Sequence, residues 1–134
     1  MILPNGATVA VADGETLSLF RNTTRESSRS LSAVMAPELD GGNGGSGNRH
    51  RSSASNPDDR TQAEDGFAAA SAAWLNNQVL DGKIAALMVI AAPRTLGELR
   101  KHYHKQLEAV LVGELAKDLV GHSLADIEAA VAAA

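Results

Sequence analysis

Three short stretches of this chain hold residue types able to do chemistry: Asp13-Gly14, Pro93-Arg94-Thr95 and Lys117-Asp118. A guanidinium or an ammonium binds phosphate, and two carboxylates sharing a divalent cation support nuclease-type hydrolysis. Asp13 with Asp118 is the one acidic pair whose expected placement permits that second chemistry. Each stretch also has an ordinary structural reading. Asp-Gly is a common hairpin turn, Thr95 and Glu98 have the spacing of a capping box, and Lys117 and Asp118 can pair at the surface. Of the two readings the structural one is favoured; the functional expectation beside it is an anion site with carboxylates at its edge, no resident metal and no cofactor.

Other chemistries lack their residues. With no cysteine there is no thiolate nucleophile and no thiolate zinc site. No Gly-x-Ser-x-Gly elbow is present, and the glycine-rich run Gly41 to Asn48 lacks the Gly-Lys-Ser/Thr ending of a phosphate loop. His102 and His104 stand two apart, which on a helix turns them about 200° from each other, so they read as solvated side chains and not as zinc ligands.

Net charge is -4 with 21% charged residues, which gives no general attraction to nucleic acid or to an anionic membrane. A basic site must be local. The segment 83 to 108, with Arg94, Arg100, Lys101 and Lys105, is the clearly basic one. No apolar run approaches the ~20 residues that span a bilayer, and Met1 to Gly6 does not open a signal peptide. A cytoplasmic location without membrane contact is the expectation.

The elements that must position these groups follow from periodicity. Ala7 to Ala12 and Thr16 to Phe20 alternate about Asp13-Gly14 and predict a hairpin, and Leu31 to Met35 predicts a third strand ended by Pro37. Residues 41 to 55 have no apolar periodicity and predict a flexible glycine-rich loop. Asn56-Pro57-Asp58-Asp59 predicts a helix start, and Asp81-Gly82 its end. Ala63, Phe67, Ala70 and Trp74 form one stripe of that helix, with Ala68, Ala72, Leu75 and Val79 beside it. Ile84 to Ala92, almost wholly apolar, predicts a central parallel strand. Thr95 is expected to open the next helix, running towards Tyr103 or Leu107 and interrupted by a short irregular turn. Val110 to Leu115 predicts a fifth strand, and Ser123 caps a last alanine-rich helix. One α/β domain over residues 1–134 results, β-β-β-α-β-α-β-α, with a mixed five-stranded sheet of order 3-2-1-4-5 and strand 2 antiparallel.

Ligands of open α/β sheets gather outside the carboxyl ends of the parallel strands. That edge is where Asp13, Arg94 and Lys117 with Asp118 are expected to converge. Arg94 would stand at a helix N-terminus, with the free N–H groups of residues 96 to 98 adding to its pull on an anion. Thr95 and Arg100 complete the candidate set.

Ala92-Pro93-Arg94-Thr95-Leu96-Gly97-Glu98-Leu99-Arg100, Glu114-Leu115-Ala116-Lys117-Asp118-Leu119 and the opening Val11-Ala12-Asp13-Gly14 with Leu19-Phe20 resemble the bacterial host-attachment protein family over nearly the whole chain. The resemblance implies the fold of the central domain of archaeal and eukaryotic class-1 peptide release factors, an RNase H-like arrangement. In those factors a Gly-Gly-Gln loop reaches the peptidyl-transferase centre. At the corresponding place this chain has Gly41-Gly42-Asn43, so the likeness implies shared ancestry more than shared hydrolysis. Arg49 and Arg51 can still contact RNA phosphate from a flexible chain. The resulting expectation is a non-enzymatic cytosolic binding or regulatory protein with RNA or the ribosome as partner. The alternative is a hydrolase: a peptidyl-tRNA hydrolase using loop 41 to 51, or a nuclease centred on Asp13 and Asp118.

Overall fold

The structure, a computed structural model, describes residues 3–23, 31–35, 37, 39 and 57–134, the first five residues of the last span as backbone only. The expected loop at 41–55, the cap Asn56 and the cations Arg49 and Arg51 lie outside the described residues. Among the described residues nine elements follow one another: β1 (Thr8–Ala12), β2 (Leu17–Asn22), β3 (Leu31–Val34), α1 (Pro57–Leu80), β4 (Leu87–Ala91), α2 (Pro93–Arg100), α3 (Lys105–Val110), β5 (Leu111–Ala116) and α4 (Leu124–Ala133). The sheet order is β3-β2-β1-β4-β5, as the sequence predicts. β1 pairs parallel with β4, β4 parallel with β5, and β2 antiparallel with both β1 and β3.

All five residues of β1 and of β4 are buried, so side chains pointing to either face meet a covering layer. On one face Ala10, Ala12, Leu87, Val89 and Ala91 pack with residues of α1, α2 and α3. On the other, Val9, Val11, Met88 and Ile90 pack with Ile127 and Val131 of α4. The pleat divides the two sets, because alternate residues of a strand face opposite ways. Opposite α1 the strand β1 presents Ala10 and Ala12, and α1 meets the core with Ala68 and Ala72 between Phe67 and Leu75. Small residues on both partners let helix and sheet approach closely. Ala63 is exposed, and Ala70 and Trp74 are only partly buried, so the inward face is turned slightly from the expected stripe. Ser71 takes part of that face, fully buried, with a hydroxyl that has no hydrogen-bond partner.

The second helical region departs from expectation at its start. α2 begins at Pro93, with Ala92 as its N-cap and no side-chain cap. Thr95 therefore lies inside the first turn and caps nothing. Proline at the first helical position already supplies the required φ and lacks an N–H that would have no partner within the helix, so the chain turns into the helix three residues early. Glu98, free of a capping role, accepts from Lys101 Nζ at 3.0 Å and faces His102. The helix stops at Arg100. α3 starts afresh behind His104, whose Nδ1 accepts from the Gln106 N–H.

Candidate functional site

The parallel strands end in step. Ala12 of β1 is paired with Ala91 of β4, and Ala91 with Ala116 of β5. The next residues along each chain, Asp13, Ala92 and Lys117, therefore stand side by side at one edge. Adjacent strands lie about 4.8 Å apart, which puts the Asp13 and Lys117 backbones about 10 Å from each other. Arg94 rises from the same edge in the first turn of α2.

Asp13 has a structural task. Its Oδ1 accepts from the N–H groups of Glu15 at 2.8 Å and Thr16 at 2.7 Å, while its own N–H donates to the Thr16 carbonyl at 3.0 Å. The carboxylate thus closes the β1–β2 turn. Gly14 beside it is required by close approach: a Cβ there would sit 2.6 Å from Cγ of Glu64 on α1. Asp118 is exposed. Among the described residues no three of His, Cys, Asp and Glu gather as a metal-holding group.

Arg94 donates from Nη2 to Oδ1 of Asp65 on α1 at 2.9 Å, so its carboxylate partner comes from α1 and not from Asp118. The pair is open to water, with side-chain exposures of 58% and 36%. An exposed single-contact pair of this kind is worth little and can exchange for another anion. The free backbone donors beside it also differ from expectation. Because α2 starts at Pro93 and the Leu96 N–H already bonds the Ala92 carbonyl at 2.8 Å, the open donors are those of Arg94 and Thr95, not of residues 96 to 98. Lys117 is exposed and forms no ion pair among the described residues.

Arg100 does not join this group. Its Nε and Nη2 both donate to Oε1 of Glu114 on β5, at 3.0 and 2.8 Å, and Tyr103 donates to Oε2 of the same carboxylate at 3.3 Å. The Glu114 hydrogen bond and charge raise the Arg100 pKa. Burial, then the Glu114 carboxylate, push the Tyr103 phenol well above its ordinary value. The Glu98 carboxyl is held below its usual range, chiefly by the Lys101 hydrogen bond. Arg100 therefore ties α2 to β5, and among the described residues Arg94, Thr95 and Lys117 of the expected anion-binding set stand at the strand ends.

The family relation follows from the whole chain. The model of the bacterial archaeo-eukaryotic release factor family 12 matches residues 6–131, from before β1 into α4. The chain belongs to that family. No curated protein is similar enough to count as a match. In this family member the expected relation to release factors holds at the level of the family.

Two features of this release-factor relative escaped sequence reasoning. Asn76 of α1 donates to the His102 carbonyl at 2.8 Å and accepts from the His104 N–H at 2.9 Å, bracing the turn between α2 and α3. At the amino end of β1, opposite the Arg94 edge, Thr8, Arg21, Trp74, Gln78, Lys83 and Met35 line a cleft of about 320 Å³. Trp74 had a place in an apolar helical stripe, and Arg21 and Lys83 are more than 60 residues apart. No local pattern could have joined them.

Proposed function

We propose that this chain is a non-enzymatic, cytoplasmic RNA-binding protein that associates with the ribosome through the carboxyl edge of its sheet. The observation carrying the reading is the in-step ending of β1, β4 and β5, which sets Arg94 and Lys117 at one edge, beside the open N–H groups of Arg94 and Thr95. Two cations and two backbone donors suit phosphate oxygens, and phosphate contacts supply position and affinity without reading sequence. Membership of a release-factor family supports a ribosomal partner. Among the described residues no helix is long and apolar enough to cross a membrane. Arg49 and Arg51 are further cations that this reading would add to the RNA contact. The RNase H-like and host-attachment likenesses enter it only as relatives of the fold, with any effect on attachment arising indirectly, through RNA.

The hydrolase reading has less support. Oδ1 of Asp13 is occupied by two backbone donors, and Asn43 stands where a release-factor loop has glutamine.

Co-sedimentation of the protein with purified ribosomes, repeated over a salt series, tests the proposal. Binding is expected, and Arg94→Ala should weaken it and make the salt dependence shallower by about one phosphate contact. Unchanged affinity and slope in Arg94→Ala and in Lys117→Ala would refute the assigned surface.

A further inference from the structure

We infer that the cleft at the amino end of β1 is a second binding site, one that takes a single nucleotide unit with its base on Trp74 and its phosphate between Arg21 and Lys83. This site is separate from the edge carrying Arg94. Thr8 and Ala12 bracket β1, so the two lie about 13 Å apart along the strand.

The cleft holds the parts a nucleotide needs. Trp74 is half-buried along one wall, and an indole is a stacking platform for any base. Met35, 91% exposed, adds a polarisable side chain at the rim, where an unliganded protein gains nothing from leaving it in water. Leu19 and Ile84 contribute buried apolar floor. Arg21 and Lys83 are both exposed and form no ion pair among the described residues, so their charge is available to an anion. Their placement is built into the fold. Arg21 is held opposite Thr8 by the β1–β2 register, and Gly82 at φ 79° ends α1 so that Lys83 turns back, its N–H bonding the Gln78 carbonyl at 2.9 Å. Gln78 brings a side-chain amide, able to donate to and accept from a base edge. Among the described residues no acidic side chain lines the cleft. A volume of about 320 Å³ suits one nucleotide and not a folded polymer segment.

Trp74 is the sole tryptophan, so intrinsic fluorescence reads this site directly. The full chain is titrated with uridine monophosphate, with hexauridylate and with phosphate-free uridine. Saturable quenching by a phosphorylated ligand is expected, with uridine at least tenfold weaker. Quenching by the mononucleotide identifies a free nucleotide as sufficient, and quenching by hexauridylate alone identifies an RNA strand as the source. The double variant Arg21→Ala/Lys83→Ala should lose at least tenfold in affinity while keeping its circular dichroism and melting temperature. Trp74→Phe, read by calorimetry, should retain measurable binding through its smaller ring. Arg94→Ala/Lys117→Ala should bind as the parent does, which separates this site from the ribosomal surface proposed above. Absence of saturable quenching, equal binding of uridine and its monophosphate, or indifference to the loss of Arg21 and Lys83 would each overturn the assignment.

Discussion

Asn22 is fully buried at the end of β2, and its side-chain amide donates to the carbonyls of Leu3 and Pro4, both at 3.0 Å. Its main chain also accepts from Gly6 at 2.7 Å and donates to Ala7 at 2.8 Å. One residue thus holds the segment before β1 against the strand that carries Arg21. Asn22→Leu keeps most of the volume and removes both side-chain donors. Two lost bonds cost about 0.5–1.5 kcal/mol each, and the buried Leu3 carbonyl left without a partner adds to this, so the variant should lose about 2–4 kcal/mol. For a domain of this size that lowers the melting temperature by roughly 8–16 °C. Asn22→Asp, of nearly the same shape, sharpens the expectation through pH. Its carboxylate would be buried facing two carbonyl oxygens, so the folded-state pKa rises above the unfolded value of about 3.9. The folded state then binds the proton more tightly. The variant should be closest to the parent below that unfolded pKa and lose stability as pH rises through the folded one. Urea unfolding followed by circular dichroism at several pH values measures both variants. An Asn22→Leu protein within about 0.5 kcal/mol of the parent, or an Asn22→Asp protein whose deficit does not grow with pH, would refute the role given to this amide.

Ser71→Ala should stabilise the fold by about 1 kcal/mol, because it removes a buried hydroxyl without a partner and improves helix propensity; chemical denaturation checks this. Gly14→Ala should destabilise by about 1–3 kcal/mol, since the new Cβ meets Glu64 atoms at 2.6–2.9 Å, and a melting temperature equal to the parent's would contradict the close approach. Asn76→Ala should cost about 1–3 kcal/mol and speed amide exchange in the turn from residue 101 to 104, because both of its bonds brace that turn. Tyr103 is the only tyrosine, so phenolate absorbance reports it alone. With its folded pKa raised, the stability it contributes is complete below the unfolded value of about 10 and is lost as pH rises above that. Phenolate should therefore appear together with alkaline unfolding, and Tyr103→Phe should unfold at higher pH than the parent.

Much of the fold was legible without coordinates because the deciding signals are local. Alternation about Asp13-Gly14, the apolar run ending at Ala91, the proline starting α1 and the serine capping α4 each act within a few residues, and pairing of hairpin neighbours with helical crossovers between parallel strands turns them into one sheet order. The convergence of Asp13, Arg94 and Lys117 at one edge follows from that order. Tertiary structure decided what each charge does there. Whether Arg94 faces Asp65 or Asp118 depends on where α1 crosses the sheet, and whether Arg100 is free depends on Glu114 of β5, 14 residues away. Thr95 was misread because a capping box and a Pro93 start compete within three residues, and packing of Leu96 and Leu99 into the core selects the phase of the helix. The cleft of Arg21, Trp74 and Lys83 is wholly tertiary: its walls come from β2, α1 and the turn after α1, and the register of the sheet together with the end of α1 brings the two cations to one indole.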